Sequence, residues 1–235
     1  MSLKSSKNSQ RTSSSTDPGG QGQAIQDADG VRSATLAERW SFLGSFLRKP
    51  GQIGAVTPSS PHLAHAMMAN LDLEHARAVV ELGPGTGPFT EMILHRIGNQ
   101  TAFVAMELDA TCVARLRQRF PGLNVYQDSA EKMGEYLARH GLRKADYIIS
   151  GLPWATLPTP VQKAIFEAIL ATLVPGGAFT TFAYVHACWM PRARQFRRRL
   201  EAHFDRVELS PVVWRNFPPA FVYRCFFAGA SAVQM

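Results

Sequence analysis

One stretch constrains this chain more than any other: Val79-Val80-Glu81-Leu82-Gly83-Pro84-Gly85-Thr86-Gly87. Two β-branched apolar residues lead into an acid, and glycines follow at alternate positions. Pro88-Phe89-Thr90-Glu91-Met92-Ile93-Leu94 then continues with the character of a helix start. The pattern predicts a buried strand, a tight turn and a crossover helix, the opening unit of an α/β domain. Without a Cβ, the turn's backbone can approach a ligand closely. The G-x-G-x-G spacing differs from the G-x-G-x-x-G that cradles a pyrophosphate. Glu81, at the strand end, would repel a pyrophosphate and suits a cationic ligand instead. On these residues alone, a purely structural Gly-rich turn is the other reading.

The stretches downstream narrow the choice. Residues 101–109 read as a second strand that ends in Glu107-Leu108-Asp109. Glu107 follows the glycines by about 20 residues, where an acid accepts hydrogen bonds from ribose hydroxyls. Residues 110–120 predict a basic helix. Val125-Tyr126-Gln127 is a short strand ending at Asp128-Ser129. Asp146 opens a buried strand over 147–149, and Ser150-Gly151-Leu152-Pro153-Trp154 leaves its carboxyl end. Open α/β sheets bind ligands at that edge. A helix follows from Thr159 or Pro160 to about Leu173, and Val174-Pro175-Gly176-Gly177 turns into a strand over 178–184. Residues 191–204 form an Arg-dense helix. Alternation over 207–227, broken by Asn216-Phe217-Pro218-Pro219, predicts a hairpin as strands six and seven.

Glu81-Leu82-Gly83-Pro84-Gly85-Thr86-Gly87 resembles motif I of the class I S-adenosylmethionine-dependent methyltransferases. With Glu107, Asp128, the Ser150-to-Trp154 loop and the Pro-Gly-Gly run in order, the resemblance covers residues 58–230. It implies a Rossmann-like α/β fold, with a seven-stranded, mostly parallel sheet and an antiparallel C-terminal hairpin strand. It implies S-adenosylmethionine as cofactor, S-adenosylhomocysteine as product and no metal. Carried onto this chain, the cofactor would meet Glu81, Gly83, Gly85, Gly87, Glu107, Asp128, Ser129 and Ser150, with Asp128 accepting from the adenine amino group.

Residues 1–33 are rich in Ser, Gln, Gly and Asp and read as a disordered tail. Residues 34–57 open with a capping box, Thr35-Leu36-Ala37-Glu38, which predicts a helix to Arg48 or Lys49. Leu36, Trp40, Leu43 and Leu47 share one face, with Phe46 beside them and Phe42 at the boundary. Such a helix either packs on the domain or lies in a membrane interface with Arg48 and Lys49 at one end. Residues 58–235 form the methyltransferase domain.

The full pattern includes Phe42-Leu43-Gly44-Ser45-Phe46-Leu47, the 53–60 loop, the Ser-Gly-Leu-Pro-Trp loop and the Arg-rich helix. It resembles the soluble bacterial phospholipid N-methyltransferases. That resemblance implies methyl transfer to the amine of phosphatidylethanolamine, towards phosphatidylcholine, with the N-terminal helix docked on the membrane. Related enzymes methylate ornithine lipids. The rRNA adenine N6-dimethyltransferases share the acid-and-glycine motifs, but Gly151 stands where they place an Asn against the flipped base. A non-catalytic cofactor-binding module is a further alternative.

The net charge of +7 points to an anionic partner, nucleic acid or an anionic lipid surface. The lipid resemblance favours the second, with no nucleic acid expected. Cys112, Cys188 and Cys225 are scattered and predict reduced thiols without a metal site. Neither a transmembrane run nor a signal-peptide core is evident, so the expected setting is the cytoplasm, peripherally at the inner face of the cytoplasmic membrane. The candidate proton acceptors are Tyr184 and His186. Gly151 and its loop are candidates to orient the amine, and Trp154 to hold the cationic product by cation–π contact. Arg192 and Arg194 are candidates for phosphate or anionic lipid.

Overall fold

The structure is a computed structural model that describes residues 59–228. The tail over 1–33 and the helix expected over 35–49 lie outside the described residues. So do Trp40, Phe42, Leu43, Phe46, Leu47, Arg48 and Lys49.

Seven strands form one sheet: β1 (Ala78–Leu82), β2 (Ala102–Glu107), β3 (Val125–Gln127), β4 (Ala145–Ser150), β5 (Leu173–Tyr184), β6 (Arg206–Leu209) and β7 (Ala220–Phe226). Their order is β3-β2-β1-β4-β5-β7-β6. The first five run parallel, and β7 lies antiparallel between β5 and β6. This is the Rossmann-like architecture that the sequence predicts. Strand order reverses between β1 and β4, which opens a crevice at their carboxyl ends.

Alternating side chains build a core on each face of the sheet. Val80, Leu82, Val104, Met106 and Ile148 pack against α4 (Met133–Arg139), α5 (Thr159–Thr172) and α6 (Pro191–His203). Val79, Phe103, Ala105 and Ile149 pack against α1 (Pro61–Met67), α2 (Pro88–Leu94) and α3 (Ala110–Arg119) on the other. The strand starts are tied as well: the Asp146 carboxylate accepts from the N–H groups of Arg77 and Ala78, each at 2.9 Å.

Ser60 caps α1 through the Leu63 N–H, with Pro61 next, and the helix stops at Met67. One expectation is corrected and one helix is added. The Pro-Gly-Gly run lies inside β5, where the register against β4 shifts between Ala145 and Tyr147, rather than preceding the strand as a turn. Helix α4 has no counterpart in the sequence reading, although its buried Met133, Tyr136 and Leu137 have helical spacing.

An aromatic cluster seats α6. Phe196 stacks on Trp154 with centroids 4.5 Å apart and planes at 13°, and Phe179 meets Trp154 edge-on at 5.9 Å. Phe166 meets Phe196 at 6.5 Å. Truncating a buried aromatic leaves a cavity that costs about 3 kcal/mol or more. Phe196→Ala is therefore expected to lower the urea midpoint by that measure and redden Trp154 emission. An unchanged midpoint would contradict the assigned packing.

Candidate active site

Parallel pairing sets Leu82 of β1 opposite Ser150 of β4, so both strands release the chain at the same level. The two turns then lock together. The Gly151 N–H donates to the Leu82 carbonyl at 2.8 Å, and the Gly83 N–H donates to the Met106 carbonyl of β2 at 2.9 Å. A Cβ on Gly151 would sit 2.6 Å from the Gly83 carbonyl oxygen, and one on Gly83 would sit 2.7 Å from Leu152 Cδ2. Gly83 also has φ +69°, where a side chain is strained. Gly151 thus requires glycine because the Gly83 backbone occupies the space, and Gly83 requires it chiefly for its left-handed backbone. Gly85 differs: nothing lies within 4 Å of where its Cβ would stand, so its backbone faces open space. Gly87 packs close to Leu116 and Phe120 and starts α2.

Glu107 ends β2 at 7% exposure. Its Oε2 accepts from the Gly85 N–H at 2.9 Å, and its Oε1 accepts from the N–H groups of Leu108 and Asp109 at 2.8 and 3.0 Å. Burial pushes this carboxyl up, and the three N–H groups partly offset that. The acid expected to meet a ribose is therefore held at the open glycine turn. Asp109, its neighbour, caps α3 instead, accepting from Thr111 and Cys112.

Glu81 is fully buried. Its Oε2 accepts from the Thr90 hydroxyl at 2.7 Å, while its Oε1 has no hydrogen-bond partner among the described residues. Burial, opposed by Thr90 and reinforced by the Glu107 charge, raises its pKa to about 8. An unpartnered buried carboxylate oxygen is costly and fits a cationic group placed against it. The residues present therefore suit a ligand that carries an ammonium.

Asp128 follows β3. Its carboxylate accepts from the Ser129 N–H at 2.7 Å, the Tyr136 hydroxyl at 2.8 Å and the Lys132 ammonium at 3.1 Å. Burial pushes it up, but these partners outweigh burial and leave it lowered, an ionised acceptor beside the crevice. Ser129 caps the short turn Ala130–Lys132. Tyr136 and Lys132 escape a sequence reading because the helix that aligns Tyr136 goes unrecognised there.

Ser150 and Trp154 depart from the roles expected of them. The Ser150 hydroxyl is fully buried and accepts from the Trp154 Nε1–H at 3.1 Å and the Leu152 N–H at 3.3 Å. Trp154 is 3% exposed and stacked on Phe196, so its ring belongs to the core and is removed from a cation–π contact with product. Gln162 of α5 donates to the Trp154 carbonyl and, at 3.3 Å, to that of Leu157. The Thr181 hydroxyl donates to the Ser150 carbonyl at 3.1 Å. Neither Gln162 nor Thr181 carries a sequence signal of its own, since each acts only through a tertiary contact.

Tyr184 ends β5 and stacks on His186, with centroids 5.6 Å apart. Burial pushes the Tyr184 phenol up, so its phenolate is disfavoured and a proton-acceptor role is not supported. His186 is exposed on the same edge. Arg192 and Arg194 are exposed in the first turns of α6. No cluster of three or more His, Cys, Asp or Glu residues that could hold a metal occurs among the described residues.

Two tests follow from this geometry. A Cβ at residue 151 meets backbone, which cannot swing aside, so Gly151→Ala is expected to lower stability by about 2 kcal/mol and cofactor affinity at least tenfold. Wild-type affinity by calorimetry would refute the interlock. At neutral pH the free Glu81 carboxyl is protonated, and a cationic partner favours its ionised form. Cofactor binding should then release about one proton, with affinity rising as pH climbs towards 8. Calorimetry in buffers of different ionisation enthalpy measures this, and zero release would remove Glu81 from the binding site.

Comparison with known proteins agrees with the geometry. A family model described as a methyltransferase domain matches residues 79–177. The ornithine lipid N-methyltransferase of Singulisphaera acidiphila is 33% identical over 189 residues, spanning 78% of this chain and 93% of that protein. Human methyltransferase-like protein 13, solved with S-adenosylhomocysteine, superposes with a TM-score of 0.53 at 16% identity, covering 73% of this chain and 81% of that one. An O-methyltransferase from Bacillus cereus, also with S-adenosylhomocysteine, gives 0.53 at 16% identity, covering 83% and 93%. The solved structures share the fold, and the Singulisphaera relative carries the family. This chain belongs to the class I S-adenosylmethionine-dependent methyltransferases, and S-adenosylmethionine is its cofactor.

Proposed function

We propose that this enzyme N-methylates the amine of a membrane lipid headgroup, acting peripherally at the inner face of the cytoplasmic membrane. The observation that carries this reading is the 33% identity to an ornithine lipid N-methyltransferase across 93% of that protein's length. That relative moves ornithine lipid ahead of phosphatidylethanolamine, which the sequence pattern alone put first. Among the described residues, no helix is long and apolar enough to cross a membrane, so the chain would reach the headgroup from the surface.

Bound S-adenosylmethionine supplies an electrophilic methyl on a cationic sulfonium. The amine nitrogen forms its new N–C bond as the S–C bond breaks, and an ammonium headgroup must first lose a proton. The chain's task is chiefly to position the amine and exclude water. In the loop over 150–154, the carbonyls of Ser150, Leu152, Pro153 and Trp154 each accept a hydrogen bond within the fold. Among the described residues this leaves the carbonyl of Gly151, whose Cα packs on the Gly83 carbonyl, to orient the incoming N–H. His186, exposed at the same edge, is the remaining candidate to take the proton, directly or through water.

A nucleic-acid substrate is less well supported. A side chain at residue 151 would collide with the Gly83 carbonyl, so this position offers no side-chain acceptor for an adenine amino group. The deciding experiment incubates the protein and S-adenosylmethionine with vesicles containing both ornithine lipid and phosphatidylethanolamine, with an rRNA fragment in parallel. Mass gains of 14 Da steps, about one methylene each, are expected on a lipid amine, first on ornithine lipid. Methylated adenine with both lipids untouched would contradict the reading.

A further inference from the structure

The sheet edge that carries the active site also holds large apolar side chains in solvent. Trp189 is 77% exposed, Trp214 73%, Phe217 76% and Met190 40%. All four lie in two neighbouring segments. Strands β5 and β7 pair antiparallel to their ends at Tyr184 and Ala220, so the chain leaving β5 runs beside the chain entering β7. The Val185 N–H donates to the Pro219 carbonyl at 3.0 Å, and Val213 bridges to Ala220. Because β5 is parallel to β4, both segments stand at the edge where the 150–154 loop emerges.

These segments are firmly held. Asn216 is 3% exposed; its Oδ1 accepts from the Ser60 N–H at 2.9 Å and its Nδ2 donates to the Pro218 carbonyl at 2.8 Å. The Met190 N–H donates to the Ala187 carbonyl at 3.0 Å. The aromatic rings are therefore presented outward by an anchored backbone. Exposed arginines alternate with them: Arg192 and Arg194 after Met190, and Arg215 between Trp214 and Phe217. Neither segment, 185–194 or 211–219, contains an Asp or Glu.

We propose that this rim of aromatic and arginine side chains is a docking surface for an anionic phospholipid bilayer, which seats the mouth of the active site against the headgroups. Aromatic side chains settle at the headgroup level, and each arginine is drawn to an anionic leaflet. The two weak attractions combine into stable binding. The inference rests on the lipid reading above and adds to it the surface that meets the bilayer. Trp189, Trp214 and Phe217 carry no signal in the sequence reading, which assigns membrane contact to residues 34–57 together with Arg192 and Arg194.

The test uses the full chain carrying Trp40→Phe, with vesicles of phosphatidylcholine and phosphatidylglycerol, some phospholipid being brominated. Trp154 is shielded in the core, so changes in emission report Trp189 and Trp214. Vesicles are expected to shift the emission blue and the brominated lipid to quench it. The triple variant Trp189→Ala/Trp214→Ala/Phe217→Ala should lose at least tenfold in vesicle co-sedimentation while keeping its near-UV spectrum and cofactor affinity. Unquenched emission, or unchanged co-sedimentation of the triple variant, would overturn the proposal. So would emission already blue-shifted without vesicles, or a vesicle-free dimer that the triple variant breaks, since either assigns the rim to protein. Wild-type protein that docks through the rim yet methylates no lipid would leave docking standing and defeat the lipid reading. Lipid methylation with normal vesicle binding by the triple variant would do the reverse.

Discussion

The contact between Gly83 and Gly151 is the constraint on which the rest of this site depends. Two strands that are neighbours in space but distant in sequence end at the same level, and their turns occupy each other's side-chain space. The first turn opens into free space at Gly85. The second carries the Gly151 carbonyl, which the proposed reading assigns to the amine. On the proposed reading, a single backbone junction therefore positions both binding and catalysis. Ser150, Trp154, Gln162 and Thr181 hold that junction from the β4 side, and the Glu107 carboxylate holds it from the β2 side.

Electrostatics around the junction follow from burial. Glu81 and Glu107 both lie in the core of the sheet edge, and burial lifts both carboxyls. They differ in how they are answered. Among the described residues, Glu107 has three backbone N–H partners, whereas Glu81 has Thr90 on one oxygen and none on the other. A cationic cofactor would relieve the second case. Burial thus disfavours the ionised form of Glu81 and a neighbouring positive charge would favour it, a common arrangement at functional sites.

Much of this was legible in the sequence. The glycine turn, the acids ending β2 and β3, the loop after β4 and the C-terminal hairpin all carry local signals: β-branched runs, alternation, and Gly or Pro punctuation. What was not legible depends on tertiary contact. Trp154 follows a proline at a catalytic edge and reads as a ligand-facing aromatic, but Phe196, more than forty residues on, draws it into the core. Tyr184 reads as a proton acceptor until its burial is seen. Helix α4 is too short to stand out in the sequence, and Tyr136 reaches Asp128 only once that helix is folded. Exposed Trp189, Trp214 and Phe217 lack any periodicity, because isolated loop aromatics reveal their orientation only once the loops are folded.

Hydrogen exchange of backbone amides, with and without S-adenosylhomocysteine, tests the central claim most directly. If the two turns form one junction, ligand binding at the glycine turn should slow exchange over residues 82–87 and, to a similar degree, over 150–154. The Gly151 amide bonded to Leu82 should change most in the second segment. Protection confined to 82–87, with 150–154 exchanging as in the free protein, would show that the turns act separately and would contradict the account.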